Sequence, residues 1–165
     1  MTMITQTFVQ AGNATFTVSS PSGERYTFRV RKVEKDDRAP ITFASVMTGS
    51  DNETSYSYMG VVDFQTMNVR TTKASKFADD STPVRVFRWA LSLVGDHDRW
   101  LDAVERGYRI EQSGRCGRCA RLLTVPQSIR AGIGAECAAA MGVDQAALAR
   151  ETEALWKEAT IPHAA

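Results

Sequence analysis

The stretch A-T-F-T-V-S-S-P-S-G-E-R-Y-T-F-R-V-R-K-V, residues 14–33, reads as two strands and the turn that joins them. Phe16 and Val18 alternate with threonines. Pro21-Ser22-Gly23 then supplies residues that favour a tight turn. Beyond it Tyr26, Phe28 and Val30 oppose Thr27, Arg29 and Arg31. A period of two with one apolar set is the mark of a strand buried on one face, and two such runs around a turn make an antiparallel hairpin.

Working outward, Ile41 to Met47, Tyr56 to Val62 and Asn68 to Thr72 are further strand candidates, separated by K-D-D-R-A-P and G-S-D-N-E-T-S. The simplest arrangement is an antiparallel β-meander of four or five strands, wet on one face and covered on the other. The cover follows in sequence. Thr82 is a helix cap with Pro83 at the first helical position, and Val84, Phe87, Ala90, Leu91 and Val94 recur on one helical face. A second short helix fits Asp98 to Arg106, with Trp100, Leu101 and Val104 inward and Gly107 as its stop. A short strand, Tyr108 to Ile110, leads into the cysteines. The last helix runs from about Asp144 to about Ala159, with Leu148, Leu155 and Trp156 apolar. The expected class is therefore α+β. A sheet with two covering helices occupies 1–107, a small treble-clef-like zinc finger 108–142, and a C-terminal helix and tail 143–165.

Composition agrees with a soluble globular chain: 165 residues, 43% hydrophobic and 24% charged. No apolar run approaches the roughly 20 residues that span a bilayer, and the first residues carry no signal-peptide pattern. With an odd number of thiols, this predicts a reducing, cytoplasmic setting. The net charge of +1 hides an uneven distribution. Arg106, Arg109, Arg115, Arg118, Arg121 and Arg130 cluster around the cysteines with Glu111 as the one acid among them, while the chain beyond Met141 is acidic.

All three cysteines, Cys116, Cys119 and Cys137, lie in C-G-R-C-A-R-L-L-T-V-P-Q-S-I-R-A-G-I-G-A-E-C. Two thiolates three residues apart on a tight turn can face one ion, and a loop of about fifteen residues can return a further ligand. Gly117 lets backbone N–H groups approach the sulfurs, and Gly132 and Gly134 permit the returning turns. A short helix from Ala135 would place Cys137 in its first turn. Two other readings stay open. A redox pair needs its first thiol at a helix start, whereas R-L-L-T-V-P after the pair reads as strand or loop. Core cysteines would not ordinarily be flanked by Arg115, Arg118 and Arg121. One zinc ion is the expected cofactor. For a fourth ligand the imidazoles are His97 and His163, with Glu111, Glu136 or water as alternatives.

The run S-G-R-C-G-R-C-A-R-L-L-T-V-P-Q-S-I-R-A-G-I-G-A-E-C-A resembles an uncharacterised domain family of bacteriophage and bacterial genomes. That family's signature is close to C-G-R-C-G-R-x-L-T-x-P-x-S-I-x-x-G-I-G-P-x-C-A. The upstream K-A-S-K-F-A-D-D-S-T-P-V-R-V-F-R-W-A-L is similar to the segment that precedes the motif in longer relatives. The resemblance implies a zinc site on Cys116, Cys119 and Cys137 and a mobile-element origin, and it implies no activity. This chain departs from the pattern at Ala120, where glycine would suit a left-handed turn, at Ala135 in place of proline, and at Gln112, where relatives carry a histidine.

Motifs of catalysis are absent: no H-E-x-x-H, no G-x-S-x-G, no P-loop. A small-molecule substrate is not indicated, and the expectation is a binding protein rather than an enzyme. Arg115, Arg118, Arg121 and Arg130 would contact a nucleic-acid backbone, with Arg29, Arg31 and Lys32 on the wet sheet face as a possible extension. The alternative partner is a host protein complex, of defence or nucleic-acid processing, inhibited or modulated through these arginines and through S-Y-S-Y-M-G around Tyr56, Tyr58 and Met59. Ordinary strand packing is the competing account of those aromatics. In a phage-encoded protein the compartment would be the bacterial host's cytoplasm.

Overall fold

The computed structural model describes residues 4–51 and 53–160, the last six by their backbone alone. Six strands form one sheet: β1 (Asn13–Ser19), β2 (Arg25–Lys35), β3 (Arg38–Met47), β4 (Tyr56–Asp63), β5 (Asn68–Arg70) and β6 (Arg109–Gln112). Their spatial order is β5-β4-β3-β2-β1-β6, and every neighbouring pair is antiparallel. The first five strands are the expected meander. The sixth, which the sequence pattern placed one residue earlier, adds to the open edge of β1 with Val18 opposite Ile110 and Phe16 opposite Gln112.

The hairpin read from residues 14–33 pairs Phe16 with Phe28 and Val18 with Tyr26. Phe16, Val18, Phe28 and Val30 are all buried. They share a face with Ala44, Val46, Met59, Val62 and Val69. Two bulges, between Val33 and Lys35 and between Ala44 and Ser45, break the pairing register; such insertions raise local twist.

Two helices cover the apolar face: α2 (Thr82–Leu93) and α3 (His97–Glu105). Val84, Phe87, Ala90 and Leu91 of α2 are fully buried. The Phe87 ring stands 5.1 Å from Phe28 edge-on and 6.1 Å from Phe16 in a stacked arrangement. Such pairs add about 0.5–1.5 kcal/mol each beyond area burial. The cap of α2 is Ser81, not Thr82; Ser81 is extended and makes no side-chain capping bond, and Pro83 stands in the first turn. The cap of α3 is Asp96, whose carboxylate accepts from the Arg99 N–H at 3.1 Å. From α3, Trp100 and Ala103 complete the core.

A second, smaller core is built by two short helices, α4 (Pro126–Ala131) and α5 (Ala135–Met141), and the longer α6 (Gln145–Thr160), with the residue that caps α1 (Gln6–Gln10) reaching it. Ala11, Ala131, Ile133, Ala138, Leu148 and Ala149 bury there together with Cys116 and Cys137. Asp144 caps α6 as expected, accepting from the Ala147 N–H at 3.1 Å. Leu155 and Trp156 lie outside the residues whose side chains are described. The cysteine segment is thus bound on three sides: β6 joins it to the sheet, α1 packs beneath it, and α6 closes its core. No helix among the described residues is long and apolar enough to cross a membrane.

Candidate metal centre

The Cys-x-x-Cys segment turns back on itself immediately after β6. Arg115 and Leu122 form an isolated antiparallel bridge, the Cys116 N–H donates to Arg121 O at 2.8 Å, and the Ala120 N–H donates to Cys116 O at 2.9 Å. Closing so tight a turn puts Ala120 in the left-handed region, at φ 62°. Glycine is the residue that adopts that geometry at little cost.

Gly117 is required here for space, not for its φ. A Cβ on it would stand 2.7 Å from Phe8 Cδ2 and 2.9 Å from Phe8 O. Its N–H donates to Gly132 O at 2.9 Å, and its carbonyl accepts from Asn13 N at 2.6 Å. These two bonds anchor the knuckle to the start of β1 and to the end of α4. The N–H groups that approach Cys116 Sγ, as expected of this turn, are those of Arg118 and Cys119, joined by that of Gly134 at 3.5 Å. Gly132 is left-handed, at φ 74°, and ends α4.

Residues 126–131, expected as loop, form α4. Pro126 stands at its first position and Gly132 just past its end, the ordinary placement of both residues. The segment is too short to show helical periodicity. After it, α5 starts at Ala135 with Gly134 as its cap and carries Cys137 in its first turn, as expected.

The Sγ atoms of Cys116, Cys119 and Cys137 all lie within 4.8 Å of one another. Sulfurs on a tetrahedral zinc stand about 3.8 Å apart, from Zn–S bonds of about 2.3 Å, so a small contraction would seat an ion. The three residues fit a metal, which would cross-link the knuckle to α5 and supply structural closure. All three are free cysteines. Cys116 is buried, Cys119 exposed, and Cys137 is 9% exposed.

Burial opposes ionisation of Cys116, yet the N–H groups of Cys119, Gly134 and Arg118 outweigh it and hold the thiol below its ordinary range. Burial raises the Cys137 thiol. The Arg118 guanidinium, whose Nη1 is 3.8 Å from Cys137 Sγ, opposes that rise only in part, and the neighbouring sulfurs add to it. Cys116 and Cys137 are thus prepared unequally, with Cys116 the readier of the two to ionise.

No His, Asp, Glu or further Cys joins the trio among the described residues. His97, expected as the fourth ligand, opens α3 and lines a groove with Ile4, Trp100 and Glu151. Its position follows α3, whose seat is fixed by Trp100 in the main core, and that carries the imidazole away from the thiols. His163 lies outside the described residues. Glu111 and Glu136 are exposed and outside the group. Gln112 is buried at 8% exposure, donates from Nε2 to Ile129 O at 2.9 Å, and leaves its Oε1 without a hydrogen-bond partner. It ties β6 to α4.

Arg115, Arg118, Arg121 and Arg130 are all exposed. Arg115 spans the knuckle to Ala120 O at 3.2 Å, Arg118 faces Cys137, and Arg130 sits in the last turn of α4. The aromatics of S-Y-S-Y-M-G are packed: Tyr56 lies under Arg29 at 3.9 Å, Tyr58 meets Phe43 edge-on, and Met59 is fully buried. Ordinary strand packing accounts for them. Two residues that the sequence reading passed over, Leu122 and Val125, are large apolar side chains left 64% and 58% exposed on the loop between the knuckle and α4.

A model of a family of unknown function (DUF6011) matches residues 110–142, a span that runs from β6 through α5 and contains the three cysteines. Comparison with curated proteins and with solved structures returned no match.

Proposed function

We propose that the three thiolates hold one zinc ion, and that the protein acts by binding nucleic-acid phosphate through the arginines around that ion rather than by catalysis. The observation that carries this reading is the placement of four exposed arginines on a unit whose interior is made of thiols and aliphatic side chains. Guanidinium forks suit phosphate, and a metal cross-link would hold them on a rigid surface. The fourth zinc position would be filled by water or by a donor from outside this set. Three free thiols suit a reducing compartment, and we place the protein in the cytoplasm, in keeping with the mobile-element resemblance.

Metal analysis of the purified protein should find about one zinc per chain, and Cys119→Ser should lose it; a metal-free wild-type protein would overturn the site. Cys119 is exposed, so its replacement removes a ligand without opening the core. A chelator should therefore lower the melting temperature of the wild type but leave that of Cys119→Ser unchanged. For nucleic acid, the mobility of a labelled duplex should fall at micromolar protein and low salt, with a steep salt dependence. Unchanged mobility would sink that part of the reading.

A second reading, a protein partner such as a host complex, is favoured by one observation: Leu122 and Val125 are exposed beside Arg121. The buried centre of an interface is more apolar than the surface around it, and arginine is enriched there. Pull-downs from host lysate with and without nuclease separate the two. Recovery of a stoichiometric protein despite nuclease, lost in Leu122→Asp, supports this second reading, and its failure leaves the first.

A further inference from the structure

Thr82, Arg85, Val86 and Trp89 of α2 follow the i, i+3, i+4, i+7 pattern of a helical stripe, beside the stripe of Val84, Phe87 and Leu91 that enters the core. This second stripe does not enter the core. Together with Arg106 and Tyr108 it lines a cleft of about 390 Å³ at the start of β6. Trp89 and Tyr108 meet with ring centroids 4.9 Å apart at 56°, and both residues are partly buried at the edge of the main core. The Arg106 guanidinium stands 5.7 Å from the Tyr108 ring centroid. Its ion pair with Asp102 spans 3.5 Å, with the two side chains 62% and 65% exposed. A pair that open to water holds its charges weakly, so an incoming anion can take the guanidinium over. Both charged residues lining the cleft are arginines.

We propose that this cleft binds a nucleotide unit, its base laid against Trp89 and Tyr108 and its phosphate held by Arg85 and Arg106. The volume falls in the range of small-ligand sites. A bare anion would have no use for two aromatic rings, and an apolar ligand none for two guanidinium forks. A nucleotide uses both, since every base offers a flat face to an aromatic wall and phosphate matches the fork. The Thr82 hydroxyl adds a hydrogen-bonding group at the rim. The ligand could come as a free mononucleotide or as one residue of a single strand; a duplex keeps its bases stacked inside and is excluded. The proposal does not rest on the arginine finger, which follows the far end of β6.

The test uses the full chain with three probes: adenosine monophosphate, a labelled single-stranded oligonucleotide of about ten residues, and a duplex of the same sequence. The single strand should bind, and Arg85→Gln and Trp89→Ala should each weaken it about tenfold, as expected for loss of one phosphate or one stacking contact, while duplex affinity stays put. Arg85 is exposed, so its variant reports even if Trp89→Ala disturbs packing, and melting curves check both. Competition by adenosine monophosphate identifies a free-nucleotide site, and strand binding without it identifies a polymer site; either upholds the cleft. Wild-type affinity in both variants, or no binding of either the mononucleotide or the single strand, overturns it. If only Arg121→Gln and Arg130→Gln weaken binding, the cleft fails while the finger stands. The reverse result removes the finger and keeps the cleft.

Discussion

Phe8, in a five-residue helix ahead of the sheet, and Gly117, inside the Cys-x-x-Cys turn, are packed so closely that no side chain fits between them. A Cβ on Gly117 would come within 2.9 Å of the Phe8 carbonyl oxygen as well as 2.7 Å from its ring. The ring is 1% exposed and the carbonyl is backbone, so neither can swing aside. Gly117→Ala should therefore push the knuckle off α1. The expected cost is about 1–3 kcal/mol, the range for overpacking a filled interior, read as a lower denaturation midpoint with an unchanged slope. Equal midpoints would mean that α1 shifts freely and does not support the metal centre.

Two departures from the resembled signature give predictions of the same sign. Ala120 sits at φ 62°, a conformation that costs an L-residue about 1–2 kcal/mol. Glycine removes that strain but gives back about 0.5–1 kcal/mol in unfolded-chain entropy. Ala120→Gly should gain up to about 1.5 kcal/mol. Ala135 is the first residue of α5, and Gly134 before it is extended at φ −67°, ψ 157°, the geometry that tolerates a following proline. Ala135→Pro should gain about 0.4–1 kcal/mol. Chemical denaturation of each single variant checks both, and a loss at either position would show that the turn is relaxed in solution.

Much of the fold was legible because its signals are local. The alternation in residues 14–33 set strand faces, and the spacing of Val84, Phe87 and Leu91 set the covering helix. What escaped was short or distant. α1 has five residues and α4 six, too few for a period to show, although Pro126 and Gly132 bracket α4 with ordinary helix signals. The role of Gly117 depends on Phe8, and no rule of spacing connects the two. At the site the thiol trio followed from spacing alone, while the assignment of His97 failed because a helix goes where its apolar face is buried, and Trp100 takes α3 to the other core.

Asp79 anchors the loop ahead of α2. Hydrogen bonds from Arg88 first, and then from Thr71, hold its carboxyl below the usual range, with Arg88 Nη2 2.6 Å from Oδ1. A carboxylate depressed in the folded state contributes stability above its unfolded pKa of 3.8, and that contribution is lost as pH falls through the folded value. Asp79→Asn should thus be less stable than wild type at neutral pH, by a small margin because the group is exposed. The difference should close below about pH 3.8. Denaturant titrations across pH 2–7 test it, and a gap that persists in acid would assign the effect to packing rather than charge.

Arg118 differs from the other arginines of the finger because it faces a sulfur. Its Nη1 lies 3.8 Å from Cys137 Sγ. With the proposed zinc bound, three thiolates and one Zn²⁺ would sum to a net charge of −1, and the guanidinium beside them would balance it. Groups that support a metal ligand in this way typically change affinity about 10–100-fold when removed. Arg118→Gln should therefore weaken zinc by at least roughly tenfold in competition with a chelator. Arg121 is exposed, and Arg121→Gln should leave zinc affinity unchanged and lower the salt dependence of nucleic-acid binding by about 0.9 in log–log slope, one phosphate's share. If the two variants release zinc alike, the arginines act through the general field of the finger and Arg118 has no particular bond to the metal centre.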